Sequence, residues 1–197
     1  MKRLVILLMF CSATSAVVHT LKVYFTGSSG LTNYPAFEAV GEVDGIHGVY
    51  CQEKIIETKT DWVKKFLNAD PQYLEFLTNG CHIFSPAFFR FAVDFVMTNL
   101  NQSEGVHIFQ GIGGCELNNE TAKRTGFLKY GYDGEDFLEF DLTQLKWIAL
   151  RKEALFLKQL WDEETQSLFY NADLVTNQCN QWLIGSLIAG QSTLLRT

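Results

Sequence analysis

Two Asp-Gly pairs, Asp44-Gly45 and Asp133-Gly134, each lie between short strand-like runs, and each precedes a long stretch of helical pattern. Asp-Gly is a hairpin signal, because both central positions of a type I′ turn need a positive φ, which these two residues tolerate. In the first half the pattern predicts strands over 21–26 and 37–43 and a returning strand over 48–51. Residues 62–67 read as a short connecting piece, and helical pattern takes over from Gln72. The second half begins after the polar run 101–105, with strands predicted over 106–112, 127–132 and 137–141 and helix from Arg151 to Leu187. Strands then helix, twice over, predicts an α+β fold with helices on one face of a sheet. It does not fit the regular alternation of a doubly wound parallel sheet.

The helical regions carry their own detail. Asn79-Gly80 reads as a helix end, and Ser85-Pro86 as the cap and first turn of the next helix. From there Phe84, Phe88, Phe91 and Phe95 fall on one helical stripe, with Phe89, Val93, Val96 and Leu100 spreading apolar surface around it. Between Leu74 and Leu100 only Glu75, Arg90 and Asp94 are charged, so the region reads either as a heavily buried helix or as a groove wall or partner surface. In the second region Leu168, Ala172, Val175, Cys179, Trp182 and Ser186 form a stripe toward the sheet. Cys179 therefore faces inward, and its expected partner is Cys115, at the end of the strand that carries Gly111, Gly113 and Gly114.

The ends of the chain speak for an oxidising compartment. Lys2 and Arg3 followed by the apolar 4–11 and the small Thr14 and Ala16 have the form of a secretory signal over 1–16, too short to cross a bilayer. The mature chain is then expected to begin at Val17, and losing two basic residues deepens the net charge from −6 to −8. That balance argues against a nucleic-acid binder, which needs a basic stripe. The apolar stretch 183–189 is likewise too short to span, so no membrane span is expected in this chain. With Cys11 in the signal, Cys51, Cys81, Cys115 and Cys179 remain, an even set that suggests two bridges with three possible pairings. Asn101 and Asn119 head Asn-x-Ser/Thr triplets and are expected to carry glycans.

Catalytic patterns are missing. The sequence has no nucleophile elbow, phosphate loop, His-Glu-x-x-His pair or Cys-x-x-Cys motif, and His19, His47, His82 and His107 are scattered. Cys51, Cys81 and His82 match no common zinc spacing, so a disulfide is the better reading. The acidic run 132–136 is explained by its hairpin turn. Neither an enzyme nor a metal or other cofactor is expected.

The second half contains Gly105-Val106-His107-Ile108-Phe109-Gln110, Gly114-Cys115-Glu116, Gly131 to Phe137, Trp147-Ile148-Ala149, Trp161 and Cys179-Asn180-Gln181-Trp182-Leu183. In this order they resemble the alpha 2 domain of an MHC class I heavy chain. Tyr24-Phe25-Thr26, Ala39 to Gly45, Asp61-Trp62 and Asp70-Pro71-Gln72-Tyr73 likewise resemble the alpha 1 domain. The wording is nearest to fish members, and the Asn101 triplet sits where the family carries its glycan. The resemblance covers almost all of the mature chain. It implies an alpha 1-like half over 17–104 and an alpha 2-like half over 105–197. Together these would form an eight-stranded antiparallel sheet covered on one face by two long, broken helices, with a ligand groove between them.

Peptide-presenting members of that family clamp peptide ends with tyrosines, a threonine, a lysine and a tryptophan. Tyr73 and Trp161 match that set. Val23, Asn99, Leu157, Leu160, Leu174 and Ser186 stand where other members of the set belong. Burying charged peptide ends without hydrogen-bonding partners is costly, and leucines cannot supply those bonds. Phe25, Phe109, Gly111, Gly113, Leu128 and Tyr130 are expected to point up into the groove floor beneath walls carrying Phe84, Phe88, Phe91 and Phe95. A lipid or another apolar ligand fits these residues better than a clamped peptide; the alternative is a groove closed by its own phenylalanines.

On the underside, Tyr24, Gln110 and Asp136 match positions where the family contacts β2-microglobulin, which implies pairing with that light chain. An immune-cell receptor is implied above. The family's alpha 3 domain, transmembrane helix and tail are missing, and 191–197 resembles the junction before alpha 3. A secreted product is expected, or a cell-surface one where the full gene adds those parts. Cys51, on the third strand, and Cys81, near the helix break, are not family standards; a second bridge between them would pin the first half.

Overall fold

The computed structural model describes residues 17–52 and 54–194, so the predicted signal lies outside the described residues. Strands β1 (Val18–Ser29), β2 (Phe37–Val43), β3 (Ile46–Gln52) and β4 (Ile55–Thr58) make the first half of a sheet. β5 (His107–Asn118), β6 (Arg124–Tyr132), β7 (Glu135–Asp141) and β8 (Lys146–Ala149) make the second. All pairings are antiparallel, and the eight strands run β4-β3-β2-β1-β5-β6-β7-β8. The long β1 and β5 lie side by side at the centre and join the two halves.

Both Asp-Gly hairpins form as predicted. Asp44 and Gly45 have φ of 50° and 78°, and Asp133 and Gly134 have 50° and 82°, the signs a type I′ turn requires. The aspartates also fasten their turns to the central strands. Asp44 Oδ1 accepts from Thr20 N at 2.7 Å while Oδ2 lies 2.7 Å from His19 Nδ1. Asp133 repeats the arrangement with Ile108 N at 2.9 Å and His107 Nδ1 at 2.8 Å. Both hairpins also shift register just before the turn, at Gly41/Glu42 and at Tyr130/Gly131.

One face of the sheet carries two helical arms. The first holds α1 (Asp61–Ala69), α2 (Pro71–Asn79) and α3 (Ser85–Asn99). The second holds α4 (Leu155–Glu163), α5 (Thr165–Asp173) and α6 (Cys179–Ala189), followed by the short α7 (Gln191–Leu194). Two expectations are corrected here. Residues 62–67 are not a connector but the body of α1, which buries Trp62, Val63 and Leu67. Nor does a helix end at Asn79-Gly80 and restart under a Ser85 cap. Gly80 and Ser85 are both helical, Ser85 makes no side-chain cap, and residues 80–84 form one π turn that carries the chain into α3. Ser85 N bonds back to Gly80 O. Pro86 explains the widening: its ring crowds the carbonyl four residues back and it has no N–H to donate.

A second π turn, Leu174–Gln178, interrupts the other arm. Both interruptions are tied to the sheet. Cys81, inside the first π turn, bonds Cys51 of β3; Cys179, just after the second, bonds Cys115 of β5. Both predicted disulfides are therefore present. Close approach depends on glycine at two floor positions. A Cβ on Gly27 would lie 2.6 Å from Phe89 Cβ, and one on Gly126 would lie 2.4 Å from Val175 O. The arms settle onto the sheet where these strands have no side chain.

Candidate functional site

The sheet presents a row of large side chains to the space between the arms. Phe25 of β1, Phe109 of β5 and Leu128 and Tyr130 of β6 alternate upward, joined by Trp147 of β8. Gly111 and Gly113, having no side chain, open space between these rings. Neighbouring side chains occupy it. A Cβ on Gly111 would meet Phe89 and Tyr130 at 3.0 Å, and one on Gly113 would meet Leu128 at 3.2 Å.

The ring at the centre is Phe89, which lies outside the predicted stripe. It is buried and packs against Phe25 at 5.5 Å, Phe37 at 5.4 Å and Phe109 at 6.0 Å between ring centroids. Phe88 reaches across to Trp161 at 5.7 Å, and Phe95 to Phe156 at 5.6 Å, so the arms meet through their rings. Trp161 also packs on Tyr130 at 5.2 Å and on Trp147 at 4.9 Å. Of the stripe, Phe84 and Phe91 are not groove lining: they are 66% and 51% exposed. The signal for Phe89 was the pair of floor glycines it faces, Gly27 and Gly111, where a Cβ would lie 2.6 Å and 3.0 Å from it.

Leu157 is fully buried and Leu160 packs partly buried against the same cluster. At the opposite end the arms also touch. Trp182, predicted to face the sheet, stacks instead on Tyr73 at 4.6 Å and on Phe76 at 4.7 Å. A Cβ on Gly185 would lie 2.6 Å from Phe66. Beneath this end lies an apolar cavity of about 70 Å³ lined by Leu21, Val23, Trp62, Phe66, Tyr73 and Leu77 among others. Burial first, then the Asp70 charge, pushes the Tyr73 phenol up to about 12, and burial raises Tyr130 further still. Both phenols stay neutral donors across the physiological range.

The other predicted positions are on the surface. Tyr24 on the underside donates to Glu42 Oε1 at 3.0 Å, and Gln110 and Asp136 are exposed. Asn101 is exposed at the end of the first arm. Asn119 is exposed at the β5–β6 turn, where its Oδ1 accepts from Val17 N at 3.1 Å. Among the described residues no helix is long and apolar enough to cross a membrane.

Comparison with known proteins bears on the same residues. The family profile for class I histocompatibility antigen, domains alpha 1 and 2, matches residues 17–194. Major histocompatibility complex class I-related protein 1 of Mus musculus is 32% identical over 166 residues, covering 83% of this chain and 47% of that protein. A hereditary hemochromatosis protein homolog of Ceratotherium simum is 33% identical over 174 residues, covering 84% and 48%. The H-2 class I histocompatibility antigen K-D alpha chain of Mus musculus is 29% identical over 191 residues, covering 93% and 50%. The chain spans about half the length of the relatives it matches.

Proposed function

The chain belongs to the class I histocompatibility family, as its alpha 1 and alpha 2 platform, and from that premise we propose that it is a non-enzymatic recognition platform of immunity whose groove is filled by its own side chains. The contact of the two arms through Phe88 and Trp161, above a floor occupied by Phe89, carries this reading. With a cavity of about 70 Å³ as the space beneath the arms' other junction, a long cargo would have to displace packed rings. An immune-cell receptor would then read the upper surfaces of the arms by shape. The light chain β2-microglobulin would seat on the underside at Tyr24, Gln110 and Asp136. The chain would act outside the cell, secreted or held at the surface by segments beyond this platform.

Mass spectrometry of the secreted chain co-expressed with β2-microglobulin tests this, run native and then denaturing. The expected result is a complex of the two chains that releases no further mass. Peptides of fixed length would overturn the reading of the lost clamps. A heavy chain secreted alone would overturn the light-chain pairing. The second reading, an apolar cargo such as a lipid, is favoured by one observation: Leu157 and Leu160 make the old carboxylate end apolar. Released lipid would decide for it.

A further inference from the structure

We infer that α2 is a hinged lid over the apolar cavity, latched shut by Trp182. The segment stands apart from its neighbours in the same arm. α1 buries three side chains and α3 buries four, whereas α2 reaches the core through Tyr73 and Leu77, each only partly buried. Leu74 and Phe76 lie on it 36% and 38% exposed. A segment with so little burial opens at a lower free energy than the elements on either side.

Breaks in the regular α-helical pattern flank α2 at both ends. Asp70 separates it from α1 with a non-helical backbone, φ −123° and ψ 86°, while its Oδ1 accepts from Tyr73 N at 3.0 Å. Gly80 and the π turn separate it from α3, and the Cys51–Cys81 bond fixes that turn to the sheet. The disulfide makes the far hinge a fixed pivot, so α2 can lift without pulling α3 off the floor.

The underside of α2 supplies Tyr73 and Leu77 to the cavity wall. Across the groove its hold is aromatic, through Trp182 on Tyr73 and on Phe76. Partial burial, a break at each end and one aromatic latch all act on the same nine residues. Opening would give small uncharged apolar molecules access to the cavity.

This inference rests on the closed-groove reading, and the two fail separately. Cargo in the mass spectrum would sink that reading; amide exchange sinks or supports this one. Native-state hydrogen exchange is measured on the full chain at increasing, sub-denaturing urea. Amides of 72–79 are expected to exchange through openings that barely depend on urea, while those of 87–99 follow global unfolding. Trp182→Ala should speed exchange at 72–79 by about tenfold, the loss of two ring pairs, and leave 87–99 unchanged. If that variant does not fold, Phe76→Ala, half of the latch from a part-exposed site, should do the same to a smaller degree. Equal protection of 72–79 and 87–99 in the wild type would overturn the lid. So would a latch variant that speeds both segments alike.

Discussion

At Gly27 a single missing side chain decides how close the first arm sits to the sheet. The atom a substituted Cβ would meet is Phe89 Cβ at 2.6 Å, next to the α3 backbone, so no rotation of the ring relieves the clash. Gly27→Ala should therefore lift α3 and cost about 1–3 kcal/mol in chemical denaturation, in the range of overpacked cores. A cost near zero would mean that α3 does not rest on β1 there. Tyr73 gives a second prediction at this scale. Its phenol, ordinarily near 10, is held up at about 12 by burial and by Asp70, so the folded state prefers the neutral form. The stability this contributes is complete below pH 10 and is lost as the pH rises through 12. Melting temperature should fall across that window, and Tyr73→Phe should fall less steeply. Tyr130 and Tyr132, raised mainly by burial, keep part of the slope in the variant.

The elements differ in how they are held, and the disulfides show it. Cys51–Cys81 closes 30 residues and Cys115–Cys179 closes 64. Replacing Cys51 and Cys81 with alanine should cost about 2–4 kcal/mol in urea denaturation. On loop entropy alone, the same change at Cys115 and Cys179 should cost about 0.7 kcal/mol more. A smaller loss at the second pair would mean that the unfolded chain is already constrained there. The same elements show what the residues could and could not tell. The strands around the Asp-Gly turns were legible because alternation and turn chemistry agree. β4 and β8, four residues each, are too short for a period to register and came only through the family resemblance. α1 was read as a connector although Trp62, Val63, Phe66 and Leu67 fall at helical spacing, because nine residues give that period only two turns in which to register. The break at Asn79-Gly80 was overread because local propensity favours a stop, while the disulfide and the packing of α3 carry the helix through. In the groove, the period of the phenylalanine stripe picked out Phe88 and Phe95 but also the exposed Phe84 and Phe91. Phe89 was missed because only the facing glycines mark where it lands.

For the whole molecule, the question is whether the two arms form a site or a solid surface. The answer turns on Trp161, whose ring meets Phe88, Phe109, Tyr130 and Trp147 and so joins both arms to the floor. If the groove is closed by packing, removing that ring leaves a cavity with apolar walls that no neighbour can fill completely. Trp161→Ala should then cost about 3–5 kcal/mol, as large-to-small changes in cores do. A cavity of that character stays dry and takes up small apolar solutes. A solute that binds only the folded state raises stability by mass action, so saturating benzene should raise the melting temperature of the variant. The wild type, with its rings in place, should show no such rise. A wild type stabilised by benzene to the same degree would mean that the groove is already open to apolar ligands. The space between the arms would then be one that takes an apolar cargo.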